Sequence, residues 1–227
     1  MPRRLIVVAV AGAIALTGLA GCREMPSVAA YVGTAQLTNA QVESMVTEFP
    51  AARLETDRPA ARRFLVNAFV VRELARRIAQ DKGISVPAVD TTQLPGIANG
   101  LELNQKSPVV TLRAEEVTAF QAIEQLGTPQ APTEADLREA FAGLVRSGKF
   151  AADQYPDVRD HLDTPEMRQV LGLRGVLQDA MRKYQVSVNP RYEPQSLQLP
   201  FALAGQYVTY VTVSMDTSGP AAVIDTE

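Results

Sequence analysis

The chain has 227 residues, of which 46% are hydrophobic and 21% are charged, and its formal net charge is −3. This composition is too apolar for a disordered chain. The near-neutral charge argues against a dedicated nucleic-acid binder, which needs basic groups to neutralise phosphates. One Cys and one His exclude an internal disulfide, a thiolate zinc site and any site that needs two imidazoles. We therefore expect a globular protein with no cofactor and no nucleic-acid partner.

The first residues have the pattern of a secretory signal. Arg3 and Arg4 precede an apolar run over residues 5–19, which is too short to span a bilayer comfortably. The residues from Leu19 to Cys22 resemble the lipobox of bacterial lipoproteins. This resemblance implies that residues 1–21 are a signal peptide and that Cys22 carries diacylglycerol and fatty acid such as palmitate. The protein would then be a lipid-anchored protein on the extracytoplasmic face of the cell membrane. The alternative is an uncleaved anchor or an ordinary signal with a chance Cys.

A hairpin and a capped helix are predicted next. Residues 28–37 favour β-structure on both sides of Gly33, and a Gly at the first central position is typical of a two-residue hairpin turn. Thr38 stands three residues before Gln41, which predicts a capping box at the start of a short helix. This helix stops before Pro50. Its apolar face consists of Val42, Met45, Val46 and Phe49.

The middle of the chain is predicted to contain two helices separated by a loop. A long helix begins at Asp57 and Pro59 and runs to about Lys82, where Gly83 closes it. Residues 87–108 are rich in Pro, Gly, Asn and Thr and lack periodicity, which indicates a long loop. The next helix is expected over about residues 112–125. Its early acids, Glu115 and Glu116, would favour the positive end of the helix dipole and need no catalytic role.

The C-terminal third is predicted to contain two helices and two short strands. Thr133 and Asp136 start a helix that Gly148 closes, and Thr164 starts a longer one that runs to about Lys183. A short strand follows within residues 184–190 and could pair with the first strand of the domain. Residues 207–213 are rich in β-branched and aromatic residues and indicate a further strand.

The order of these elements resembles the SurA N-terminal-like peptide-binding domain, and more narrowly short lipoproteins of that family. The resemblance covers roughly residues 19–49, 60–86 and 133–192 and depends on element patterns and short strings. It implies a mainly α fold, in which a SurA-like helical domain over residues 28–192 carries a small β element that pairs its N- and C-terminal strands. An acylated linker over residues 22–27 would precede the domain, and a tail over residues 193–227 would follow it.

This family resemblance implies a membrane-anchored, chaperone-like protein that binds unfolded or secreted polypeptides without catalysis. Two features depart from the family pattern. Many members carry a parvulin prolyl-isomerase domain, but the interval between Gly83 and Thr133 is only about half the size of that domain. A parvulin active site is expected to contain a pair of His, whereas this chain has only His161. Isomerase activity is therefore not expected. The strand over residues 207–213 is also not part of the family pattern.

The long helix contains the candidate peptide-binding residues. Four Arg side chains cluster along one face, with two apolar side chains among them at i,i+4 spacing, while the opposite face is already a sufficient core stripe. The candidates are Arg58, Arg62, Leu65, Phe69, Arg72 and Arg76. One interpretation is that another part of the chain covers Leu65 and Phe69. The other is an Arg-rimmed apolar cradle for unfolded chains.

The sequence contains no catalytic constellation. His161 lies among acids but lacks a second soft ligand, so a surface loop is its expected setting. Neither a Gly-x-Ser-x-Gly segment nor a Gly-rich phosphate loop is present. Two other functions stay open: an accessory cell-envelope lipoprotein that binds one folded partner, and a peptidyl-prolyl isomerase-related protein.

Overall fold

The computed structural model describes residues 27–192, 196–203 and 207–214. The predicted signal peptide, Cys22 and the end of the tail lie outside the described residues. Helices make up most of the described chain, and the strands form two small antiparallel sheets. A mainly helical fold with a small β element is therefore confirmed.

The first sheet joins the two ends of the helical series. Strands β1 (Val28–Val32) and β2 (Ala35–Thr38) form the predicted hairpin, and Gly33 at its turn has a φ of 60°. Strand β3 (Ser187–Val188) pairs antiparallel with β1, with Tyr31 opposite Ser187. The strand order is β2-β1-β3, which confirms the expected pairing between the two end strands.

Helices α1 (Asn39–Val46) and α2 (Ala51–Asp81) follow the hairpin. The capping box at Thr38 is present, with the Thr38 side chain accepting from Gln41 N–H. In α2, Asp57 is non-helical, and its Oδ1 accepts from Ala60 N–H at 3.0 Å. Asp57 thus caps the long segment as predicted, and the turn over residues 51–56 is an addition that the sequence did not reveal.

A left-handed glycine ends α2. Gly83 has a φ of 67°, and the Ile84 N–H donates to the Ala79 carbonyl at 2.8 Å. This bond from the residue after the glycine back into the last turn is the Schellman closure that Gly at this position permits.

Two of the predictions for the middle segment are wrong. Residues 87–108 are not one loop, because they contain a short 3-10 turn (Thr91–Gln93) and helix α3 (Leu94–Leu101). Helix α4 (Pro108–Gln121) begins at Pro108, where the predicted loop ends, and the Ser107 side chain caps it. Glu115 and Glu116 therefore lie in the second half of α4, away from its N-terminus. A Pro at N1 starts a helix as readily as it breaks one.

Three helices follow: α5 (Glu134–Arg146), α6 (Tyr155–Leu162) and α7 (Pro165–Lys183). The predicted caps at Thr133 and Thr164 are present. A short 3-10 turn (Ala152–Gln154) precedes α6. His161 is exposed as expected, but the loop prediction for it is wrong, because the residue lies in the last turn of α6.

The tail is part of the packed structure. After a 3-10 turn (Pro190–Tyr192), strands β4 (Ser196–Leu203) and β5 (Tyr207–Ser214) form an antiparallel hairpin. β5 matches the strand predicted over residues 207–213. β4 was not predicted, since Pro200 in its middle argues against a strand. The hairpin packs on α5 and α7.

Two hydrophobic clusters hold the described chain together. The larger lies between the first sheet and helices α1, α2, α4 and α7, and it includes Leu199 and Val213 of the second hairpin. The smaller joins α5, α6 and the start of α7 to Phe201 and Val211 of the same hairpin. The hairpin therefore bridges both clusters, which ties the tail to the helical body.

Candidate functional site

The apolar candidates on α2 are core residues. Leu65 is 0% exposed and Phe69 is 5% exposed, and both belong to the larger hydrophobic cluster. This burial disagrees with the interpretation in which Leu65 and Phe69 form an open apolar cradle. The interpretation that the chain itself covers them agrees with their burial.

The four arginines of α2 form ion pairs with neighbouring helices. The Arg62 guanidinium donates two hydrogen bonds to the carboxylate of Glu43 in α1, at 2.7 and 2.9 Å. Arg58 lies 4.0 Å from the same carboxylate. The hydrogen bond from the Arg62 guanidinium is the largest influence on Glu43 and lowers its pKa. These contacts fasten α2 to α1.

The other two arginines pair with α4. Arg72 contacts Glu115 at 2.8 Å and Arg76 approaches it at 3.5 Å. The Arg72 guanidinium also lies 5.4 Å from the centre of the Phe69 ring. The structure thus brings the arginines against carboxylates of this chain, so we assign them to the packing of α2.

An open groove lies elsewhere, between the C-terminal end of α4, the N-terminal half of α7 and strand β4. Its volume is about 510 Å³, within the range of sites that hold organic ligands. The floor is apolar and the rim is polar. The floor consists of Phe120, Val170, Leu173, Leu199 and Phe201, and the rim of Glu124, Gln125, Pro165, Glu166 and Gln169.

Close backbone packing fixes one wall of the groove. The turn after α4 lies so near α7 that a Cβ on Gly172 would stand 2.1 Å from the Thr128 carbonyl oxygen, and one on Gly127 would stand 2.2 Å from the Leu173 nitrogen. Gln169 ties the same two elements, because its Nε2 donates to the Gly127 carbonyl at 2.9 Å. The Gln130 N–H donates to a carbonyl of α7 at 2.9 Å. At this wall the backbone of α7 therefore contacts the backbone of the turn after α4 directly, with no side chain between the two glycines.

The groove has the composition of a binding surface. Phe120 and Val170 are half-buried, while Glu124 and Glu166 are exposed. Within residues 27–192, 196–203 and 207–214, no group of three or more His, Cys, Asp or Glu is placed to hold a metal ion. His161 is not among the residues that line the groove. The floor can contact the apolar groups of a ligand, and the carboxylates of Glu124 and Glu166 on the rim favour an uncharged or basic ligand.

Sequence reasoning missed this groove because its parts lie far apart in the chain. Phe120 lies within the helix predicted over about residues 112–125, but its partner strand β4 is not predicted from the sequence. The available signal was the spacing of Leu199 and Phe201, which places both on one face of an extended segment. None of the helices in the described part of the chain is both long enough and apolar enough to cross a membrane.

No protein-family model, curated protein or solved structure matches this chain.

Proposed function

We propose that this protein is a lipid-anchored, extracytoplasmic, chaperone-like protein that binds unfolded or secreted polypeptide segments without covalent chemistry. The observation that carries the proposal is the groove between α4, α7 and β4, with its apolar floor and polar rim. Leu65 and Phe69, the apolar positions first considered on α2, belong to the core, so the binding site moves to the groove.

The physical character of the groove supports weak and promiscuous capture. When a ligand covers half-buried apolar side chains such as Phe120 and Val170, apolar surface leaves water and the free energy of the complex falls. Such contacts select little for the shape or the hydrogen-bonding groups of the ligand. Binding a flexible ligand costs conformational entropy, so scattered side-chain contacts leave only a modest affinity. A complex of modest affinity dissociates quickly, and bound and free ligand therefore exchange fast. Fast exchange suits a protein that must release a segment so that it can fold.

The finer fold assignment and the membrane attachment belong to the same proposal. The pairing of β1 with β3 across the helical series supports a SurA-like peptide-binding domain. The lipobox-like residues from Leu19 to Cys22 support attachment through a lipid on Cys22. The groove would then lie close to chains that emerge at the extracytoplasmic face.

Aggregation assays test the proposal. The purified protein should suppress the aggregation of several unrelated unfolded proteins at near-stoichiometric amounts. Replacing Phe120 and Val170 together by Gln should remove most of this effect. The matched control replaces Leu94 and Ile97 of α3 by Gln, because these side chains are half-buried and lie outside both the groove and the hydrophobic clusters.

The outcome separates the candidate functions. Loss in the groove variant alone, with circular dichroism unchanged, supports the chaperone-like role. No suppression for any substrate, together with one folded protein that co-purifies stoichiometrically, contradicts it and favours an accessory lipoprotein. Turnover of a prolyl peptide above background would favour the isomerase-related alternative.

A further inference from the structure

Two acidic residues of the groove belong to the same rim. Glu124 lies in the turn after α4, and Glu166 lies in the first turn of α7. The Nε2 atom of Gln169 lies 3.5 Å from the Glu124 carbonyl oxygen. Glu166 stands one helical turn before Gln169, and residues so spaced are neighbours on a helix surface. Glu124 and Glu166 therefore line the groove on the side where α4 and α7 meet, and both are exposed.

An aromatic ring lies beside this rim. Phe120 is in the last turn of α4, lines the groove and is only half-buried. The Ile123 N–H donates to the Phe120 carbonyl at 3.0 Å, so the chain turns tightly between the ring and Glu124. Glu124 follows the negative end of the α4 dipole, whereas the positive end of α7 offsets part of the charge of Glu166. This corner of the groove thus combines an aromatic ring with a net negative charge.

The protein shows elsewhere what such a combination holds. Arg138 contacts the Glu134 carboxylate at 3.0 Å, and its guanidinium carbon lies 4.6 Å from the centre of the Tyr155 ring. Arg72 on α2 makes the same two kinds of contact. A guanidinium can do both at once, because its edge donates hydrogen bonds to a carboxylate while its planar face stacks on a ring.

At the groove, a ligand can supply the cation. None of the described residues that line the groove is Lys, Arg or His. Arg168 is the basic residue nearest to Glu166 along α7, but its guanidinium donates two hydrogen bonds to the Asp163 carboxylate, at 2.7 and 2.8 Å. A basic side chain on a bound polypeptide would therefore complement the charge of this rim.

We propose that this corner of the groove binds an arginine side chain of the captured polypeptide. The guanidinium lies beside the carboxylates of Glu124 and Glu166 and against the Phe120 ring, while neighbouring apolar residues of the segment cover the floor. This inference rests on the proposed function and names the class of segment that the groove prefers, which is an apolar stretch next to an arginine.

Fluorescence anisotropy with labelled peptides tests the inference. Each peptide contains Leu-Val-Leu within a sequence of Ser and Gly, and the peptides differ only in the residue before the apolar stretch. That residue is Arg, Lys, citrulline or Glu. Citrulline has nearly the shape of Arg but carries no charge, so the comparison of these two peptides isolates the effect of the charge.

The Arg peptide should bind about five- to twenty-fold more tightly than the citrulline peptide at low salt, because a cation–π contact and two exposed ion pairs act together. Its advantage over the Lys peptide should be about two- to five-fold, since an ammonium pairs with carboxylates but has no planar face to stack. The Glu peptide should bind most weakly. The preference for Arg over citrulline should shrink as salt rises.

Substitutions separate the parts of the corner. Replacing Glu124 and Glu166 together by Gln should remove most of the preference for Arg over citrulline. Phe120→Leu keeps an apolar floor but removes the ring, so it should reduce the preference for Arg over Lys. The matched control replaces Glu48 and Glu55, two exposed acids outside the groove, by Gln and should leave both preferences unchanged.

The failures are distinguishable. If the Lys or citrulline peptide binds as tightly as the Arg peptide, the arginine site is wrong and the proposed peptide-binding function stands. If no peptide binds while unfolded substrates are protected from aggregation, the arginine site is again wrong. If no peptide binds and no unfolded substrate is protected, both the inference and the proposed function are wrong.

Discussion

The close approach of α7 to the turn after α4 gives a sharp test with a control in the same helix. Gly172 and Gly175 are both interior positions of α7. A Cβ on Gly172 would stand 2.1 Å from the Thr128 carbonyl oxygen, whereas one on Gly175 would meet nothing nearer than the Gln130 side chain at 3.4 Å. The perturbation is therefore one methyl group added at each site in separate variants.

The expected effects have opposite signs. Each Gly→Ala change gains about 1 kcal/mol of helix propensity. At Gly172 the new methyl is about 1.3 Å too close to backbone, which cannot rotate away as a side chain can. The turn must then separate from α7, at an overpacking cost of about 1–3 kcal/mol or more. The weakened bonds from Gln169 and Gln130 add about 0.5–1.5 kcal/mol each.

Urea denaturation followed by far-UV circular dichroism measures the difference. We expect Gly175→Ala to stabilise the protein by about 0.5–1 kcal/mol and Gly172→Ala to be less stable than Gly175→Ala by about 2–6 kcal/mol. If the two variants are equally stable, or if Gly172→Ala is the more stable, the packing described for this wall of the groove is wrong.

Other predictions concern the core, the buried acid, the ion pair and the anchor. Leu65→Ala should cost about 2–5 kcal/mol of unfolding free energy; a urea midpoint equal to wild type would contradict its burial. Burial raises the pKa of Glu116, so ionisation of this carboxyl opposes folding once pH rises above its unfolded pKa. Glu116→Gln should therefore raise the urea midpoint at pH 7 and change it little at pH 4. Because the pKa of Glu43 is lowered, Glu43→Gln should reduce stability at pH 7. The difference from wild type should shrink as pH falls below the unfolded value of about 4.3 and vanish below the lowered pKa of the folded state; a pH-independent difference would argue against the pairing with Arg62. Cys22→Ser should move the protein from the membrane to the aqueous fraction on cell fractionation, and unchanged membrane retention would contradict lipid attachment.

Local signals predicted much of the helical framework. The capping box at Thr38, the Asp57 cap and the Thr164 start each combine a side-chain acceptor with free N–H groups nearby in sequence. Such signals act within a few residues, so they can be read from a sequence alone. The pairing of β1 with β3 was also anticipated, because both strands flank the helical series.

Signals with two meanings caused the errors. A Pro can belong to a loop or start a helix, and Pro108 starts α4. Pro200 argues against a strand by its residue type, yet it lies within β4, because an edge strand tolerates a Pro that a central strand does not. Leu65 and Phe69 lie beside arginines on α2, and whether such residues are core or surface depends on what covers them. The partners of those arginines, on α1 and α4, are tertiary contacts that helix periodicity does not contain.

The groove was beyond reach of the sequence for a related reason. Its wall depends on backbone contact between Gly127 and Gly172, and its edge depends on an unpredicted strand. Neither glycine has a sequence neighbourhood that indicates close approach to another element. Long-range packing, more than local propensity, determines where this molecule can bind.

Photocrosslinking in intact cells tests most directly whether the groove holds other chains. A photoreactive amino acid replaces Phe120 in one strain and Ile97 of α3 in a control strain, and mass spectrometry identifies the products. Many different secreted proteins should be linked from position 120 and few from position 97. A single folded partner from position 120, or equal labelling from both positions, would contradict the proposed role of the groove.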